Sequence, residues 1–289
     1  MNKHTLAQLN IIMATVIWST IGMVRRFIDF PSGFIALVRG AVGVLFLIGI
    51  AYFSGKVFNW EGIKKNLGKL ILAGAFLGTN WAVLFEAYQH TNVAVAELFY
   101  YTDLLFVILL NPIVMKEKIT FRQCVCVTLA LLGMVLVSQI YTLDINMQDS
   151  WGIILAITAA VLVSGVVFTN KLIDNIGTYE RAIPQLLAAT LALVPYIFFT
   201  TDLSVVDFSN TQAWLLTLVV GMVHTGVAYT FYYNGIANVK AQEVCILGYL
   251  DPLISIFWAA LVFGETLGAL QIVGAALIIG SMLFAQLRC

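Results

Sequence analysis

Tyr101-Thr102-Asp103-Leu104 lies inside an apolar run, with Glu117 fourteen positions after the aspartate and Gln123 six further on. Tyr249-Leu250-Asp251-Pro252 is followed by Glu265 and Gln271 at the same two spacings, the whole set displaced by 148 residues. Just upstream, Asn92-Val93 with Glu97 is answered by Asn238-Val239 with Glu243, displaced by 146. A carboxylate placed twice at one depth of a hydrophobic array marks a duplicated membrane protein with its working site between the halves.

The surrounding composition fits. The 289 residues are 61% hydrophobic and 10% charged, with mean hydropathy +0.95, whereas a soluble domain carries about 25% charge. Apolar runs of span length occur at 7–28, 33–54, 67–89, 93–114, 120–140, 150–171, 182–200, 212–233, 241–263 and 268–287. The predicted fold class is therefore an all-α integral membrane protein with ten transmembrane helices and short loops. Met1-Asn2-Lys3-His4 leads straight into the first run without a small-residue cleavage site, so that run is expected to be kept as a span. A formal charge of zero excludes a strongly basic nucleic-acid binder. Cys124, Cys126, Cys245 and Cys289 lack metal-ligand spacing, and nothing calls for a cofactor.

Lys and Arg favour the cytoplasmic side. With a cytoplasmic N-terminus and ten spans, that side receives Lys3, Lys56, Lys64, Lys65, Lys69, Lys116, Lys118, Arg122, Lys171, Arg181, Lys240 and Arg288, which is 12 of the 15 basic residues. The outer side keeps Arg25, Arg26 and Arg39. Both termini are thus expected in the cytoplasm. Five spans per half is an odd number, so the second half enters upside down: two inverted five-helix repeats, over 1–142 and 143–289.

Asp251-Pro252, the Gly264-Glu265 turn, Gln271 and the glycine-spaced final helix resemble the EamA family of the drug/metabolite transporter superfamily. Trp18-Ser19-Thr20-Ile21-Gly22 and Arg39 are similar to its early signature. Asn80-Trp81 with Phe85-Glu86-Ala87-Tyr88 and Tyr100-Tyr101 looks like a bacterial subgroup of metabolite exporters. The resemblance implies a ten-helix bundle around a central cavity with alternating access. Leu104 stands where the first repeat usually has a proline, so the two halves need not bend alike.

Charged groups near mid-bilayer cost roughly 2.5–3.5 kcal/mol on insertion scales, so Asp103 and Asp251 must face the protein interior. They either bind a proton or a polar substrate group, or hold broken helices together; Pro252 favours the second role by freeing a backbone carbonyl. Glu97 and Glu243 read as helix N-terminal acids, or else as acids that take part in transport. Glu86 lies deeper with no base in its run, and is the leading candidate for proton coupling. Asn80, Trp81 and Tyr88 share one stripe of the third span, Tyr229 and Tyr233 one stripe of the eighth with His224 a turn above, and Trp18 and Tyr101 lie deep in theirs. Such aromatics suit an amphipathic or cationic solute, or simply pack. Arg39 either holds an anionic group, pairs with an acid or reaches the outer interface; Arg25 and Arg26 anchor the end of the first span. Glu117 and Glu265 read as turn carboxylates, and Gly74/Gly78 and Gly264/Gly268 as close-packing pairs.

These readings converge on a secondary transporter in the cell's inner (plasma) membrane, exporting a small amphipathic metabolite such as an amino acid, with a proton as a candidate coupling ion. A multidrug or organic-cation transporter of the same fold is the alternative. An enzyme is disfavoured, since neither H-E-x-x-H nor G-x-S-x-G occurs and histidines number three. A monomer and a homodimer fit equally well.

Overall fold

The computed structural model describes residues 2–116, 118–143, 149–264 and 268–286. Glu117 and Glu265 lie outside the described residues, as does Arg288. Among the described residues there are ten apolar helices and no strand. Eight are long and apolar enough to cross a membrane: α1 (Lys3–Arg25), α2 (Ser32–Phe53), α3 (Trp60–His90), α4 (Val93–Val114), α6 (Asp149–Lys171), α7 (Thr178–Thr200), α8 (Thr211–Ile236) and α9 (Ala241–Val262). Two are shorter, α5 (Phe121–Val137) and α10 (Ala269–Phe284). The chain is a multi-pass, all-helical membrane protein.

Helix ends follow local chemistry. Asn59, Asn92 and Asn210 cap α3, α4 and α8 by accepting from backbone N–H groups one turn ahead. Thr120 and Gln123 form a reciprocal capping box at α5. Gly264 ends α9 with φ +68°, a conformation that favours glycine.

The principal helix pairs map onto one another when α1–α5 are exchanged with α6–α10. Thus α3–α6 answers α8–α1, α3–α7 answers α8–α2, and α4–α6 answers α9–α1, while α2–α7, α4–α9 and α5–α10 answer themselves. Three contacts break the rule: α3 touches α4, whereas α8 and α9 make little or no contact. α6 touches both α8 and α9, whereas the counterpart pairs α1–α3 and α1–α4 make little or no contact.

The α3–α7 crossing is the tightest. A Cβ on Gly74 would lie 2.3 Å from the Gln185 carbonyl, and one on Gly78 2.2 Å from the Ala189 carbonyl. Gly74/Gly78 therefore match the expected close-packing pair. Gly264/Gly268 do not: a Cβ on Gly268 would meet only Gln271, and Gly264 serves the turn.

Candidate functional site: a cavity at the helix breaks

Four helices near the centre are irregular. α4 breaks at Tyr101–Thr102 and α9 at Tyr249, positions 148 apart. In α4 the Leu104 N–H bonds Asp103 Oδ1 (2.8 Å) and Thr102 turns back to the Phe99 carbonyl through both its N–H and its hydroxyl. Asp103 thus breaks α4 without the missing proline, while Pro252, lacking an N–H, weakens the same turn of α9. The Tyr249 hydroxyl donates to the Tyr101 carbonyl at the α4 break. α1 breaks at Ser19–Thr20, where both hydroxyls bond carbonyls three residues back. α8 widens into a π-turn over Val220–Val227.

A cavity of about 660 Å³ lies at these breaks, and its lining extends to Arg25, Ser32 and the exposed Val93. Trp18, Arg39, Asn80, Trp81, Tyr88, Tyr101, Asp103, Tyr229 and Asp251 all line it. Trp18 meets Tyr229 edge-on at 5.1 Å between centroids and Tyr232 at 5.4 Å, and Tyr229 reaches Trp81 at 6.2 Å. The Trp18 Nε1 is held by the His224 carbonyl at 2.8 Å, and Asn80 by the Ala159 carbonyl at 2.7 Å. Arg39 Cζ sits 4.5 Å over the Trp81 ring.

The cavity holds three carboxylates. Asp103 and Asp251 each fall in the first turn of the half-helix after a break, where the helix dipole favours them. Asp251 accepts from the Tyr101 and Ser255 hydroxyls, each at 3.4 Å. The third is Glu97, which accepts from the Tyr88 hydroxyl at 2.5 Å. Its place in the cavity favours the transport role over that of a helix N-terminal acid. Val93 and Ala241 start their helices 148 apart, so Glu97 answers Cys245, which also lines the cavity, rather than Glu243. Glu243 lies at the opposite end, bonded by Gln8 (3.0 Å) and His4 (2.9 Å).

Three expected residues stand elsewhere. Glu86 does not line the cavity: its carboxylate is about one-third exposed and bonds His90 and Tyr196, each at 3.1 Å. The isolation inferred for it fails because His90 is one helical turn away and α7 supplies a hydroxyl. His224 is buried behind Trp18, its Nε2 2.9 Å from the Thr20 hydroxyl. Its buried Nδ1 has no hydrogen-bond partner among the described residues. Tyr233 turns away from the cavity and donates to Gln185 (3.0 Å).

Sequence reading missed Tyr100, Tyr232, Cys245 and Arg25 as lining residues. Arg25 is no mere anchor: it pins the turn at the mouth through the Ile28 carbonyl (2.6 Å), the Phe30 carbonyl (3.0 Å) and Ser32 (3.2 Å). It also missed the opposite end. There Asn170 and Gln185 exchange two bonds at 2.9 Å, Arg181 bonds the Asn170 and Ile173 carbonyls, and Lys171 reaches the Ile236 and Val239 carbonyls.

Residues 5–139 and 150–286 each match the EamA-like transporter family. The chain belongs to that family. An uncharacterized transporter of Bacillus subtilis, YxxF, is 25% identical over 99% of this chain and 91% of its own length. An uncharacterized transporter of Archaeoglobus fulgidus is 27% identical over 71% of each chain, and protein PecM of Dickeya dadantii 24% identical over 76% and 74%. A solved crystal structure matches 98% of this chain and 97% of its own with TM-score 0.85 at 17% identity, a likeness of fold. The family and the Bacillus and Archaeoglobus relatives carry transporter names.

Proposed function

We propose that this membrane transporter moves a small amphipathic metabolite, such as an amino acid, by alternating access between two inverted five-helix repeats over 1–142 and 143–289. The observation that carries the reading is the aromatic, carboxylate-bearing cavity at the breaks of α1, α4 and α9. Its volume falls within the 300–1,000 Å³ range of small-molecule sites, and binding at discontinuous helices between repeats is how such transporters hold solutes. α5, with 17 residues, and α10, whose helix continues to Gln286 for 18, complete the ten spans in this reading, since about 17 residues is the lower limit for crossing.

The basic residues support a cytoplasmic position for both termini in a plasma membrane, with the cavity mouth outside and the Asn170–Gln185 end inside. Export as the direction rests on the likeness of Asn80-Trp81 to Tyr101 to bacterial exporters. Three cavity acids also favour a second reading, an organic-cation transporter. Counterflow in proteoliposomes separates them: labelled amino acids should exchange and tetraphenylphosphonium should not. Exchange of the cation alone reverses the choice, and chemical alteration of a solute without movement sinks both.

A further inference from the structure

Arg39 is the one charged side chain lining the inner part of the cavity whose protein partners do not account for it. Every acid there has a donor: Tyr88 for Glu97, the Leu104 N–H for Asp103, Tyr101 and Ser255 for Asp251. Arg39 has Trp81 against its guanidinium, but among the described residues no carboxylate within ion-pair distance, and its buried Nε has no hydrogen-bond partner. The ionisable groups facing it are the tyrosines 229, 100 and 88, with His224 behind. A cation held in an apolar wall without a counter-charge is costly. Snorkelling does not relieve it, because the head lies on the indole ring within the cavity. Stacking uses one face of the guanidinium and leaves its planar fork of donors for a carboxylate.

The same cavity carries Glu97 and Asp251, of which Asp251 accepts from the Tyr101 hydroxyl. Carboxylates and aromatic faces together hold an ammonium group. We propose that Arg39 is a carboxylate subsite and that Glu97 with Asp251 forms the matching ammonium subsite, so that the solute is a small zwitterion lying between them. This rests on the transporter reading above and narrows it: a solute with only a positive charge leaves Arg39 unsatisfied, and one with only a negative charge leaves the acids so.

Four probes of one carbon count test the assignment on the purified full-length protein by thermal shift: hexanoate, hexylamine, 2-aminohexanoate and 6-aminohexanoate. One or both zwitterions should raise the melting temperature more than either singly charged compound, and the better of the two reports the gap between the subsites. Arg39→Gln should weaken zwitterion binding roughly 10- to 100-fold, the span expected for a charge-assisted bond, and leave hexylamine binding unchanged. Glu97→Gln should weaken hexylamine and zwitterions alike. Arg39→Lys keeps the charge without the fork and should recover part of the affinity, which separates a lost subsite from a damaged fold. The proposal is overturned if hexylamine stabilises as well as the zwitterions, if Arg39→Gln leaves the zwitterion response intact, or if none of the four shifts the protein. In each case, counterflow of another solute would leave the transporter reading standing.

Discussion

Arg39 and Gln185 hold the same place in the two halves, the eighth residue of α2 and of α7, yet they meet opposite fates. Gln185 is fully buried, trading bonds with Asn170 and accepting from Tyr233. Arg39 faces an open cavity and stacks on Trp81. The same contrast runs along the neighbouring pairs. Arg25 and Lys171, 146 residues apart, both end the first helix of their half. Arg25 bonds only its own turn and residue 32, whereas Lys171 spans to the carbonyls at the end of α8. Thr178 at the start of α7 bonds Asn234 of α8, while its counterpart Ser32 bonds Arg25. A duplicated frame carries different polar side chains at its two ends, so one end can be latched by side-chain bonds while the other stays open. Interhelical hydrogen bonds in membranes are worth about 0.6 kcal/mol each. A latch of several such bonds is strong enough to bias a population and weak enough to release.

The largest expected effect strikes what the two ends share. Gly78→Val places carbon atoms where the Ala189 carbonyl already lies, and should cost roughly 1–3 kcal/mol or more by overpacking. Thermal unfolding in detergent measures it, and a wild-type melting temperature would show that α3 and α7 need not cross so closely. Next is Gln185→Leu, which removes three bonds, roughly 2 kcal/mol at the membrane scale, and leaves Asn170 with Val166 and Arg181. A cysteine substituted at Thr178 should then react with an impermeant maleimide about tenfold faster or more; an unchanged rate would mean that the polar cluster is not what closes this end. Tyr233→Phe removes one bond of that cluster, about 0.6 kcal/mol, and should raise the same rate by a factor of two to three. If it equals Gln185→Leu, the bonds act as one unit.

The smallest effect lies in the α7–α8 loop, away from both networks. Ser204 and Ser209 bond Asp202 and Asp207 at 2.6 Å through their hydroxyls and 2.9 Å through their N–H groups, which holds both carboxyls below the usual 3.8. A carboxyl with a depressed folded value stabilises above pH 3.8, and the contribution fades as pH falls below it. Both groups are exposed, so Asp202→Asn should barely change the melting temperature at pH 7, and that small difference should shrink as pH falls below 3.8.

Much of this was legible beforehand because it depends on chemistry along the chain. Apolar runs located all ten helices to within a few residues, except that α3 begins at Trp60, before its apolar run. The spacing of Asp103 and Asp251 foretold the breaks, since an aspartate able to take its neighbour's N–H and a proline lacking one each interrupt a helix locally. The aromatic stripe of α3 pointed Asn80, Trp81 and Tyr88 inward, as periodicity requires. Depth along a span was a poorer guide to surroundings. Glu86 seemed isolated because Tyr196 lies 110 residues away, and Glu97 was matched to Glu243 by local text although its helix starts in register with a cysteine.

By itself, the sequence determined that this is a duplicated helical membrane protein and where its helices run, and it offered breaks in two of them, because hydrophobicity, caps and backbone donors act over one or two turns. Only the tertiary structure decided which end is latched, which acids share the cavity and which charge lacks a counterpart. Those outcomes depend on which helix faces which, and two halves with the same helix plan can pack around the same axis in unequal ways.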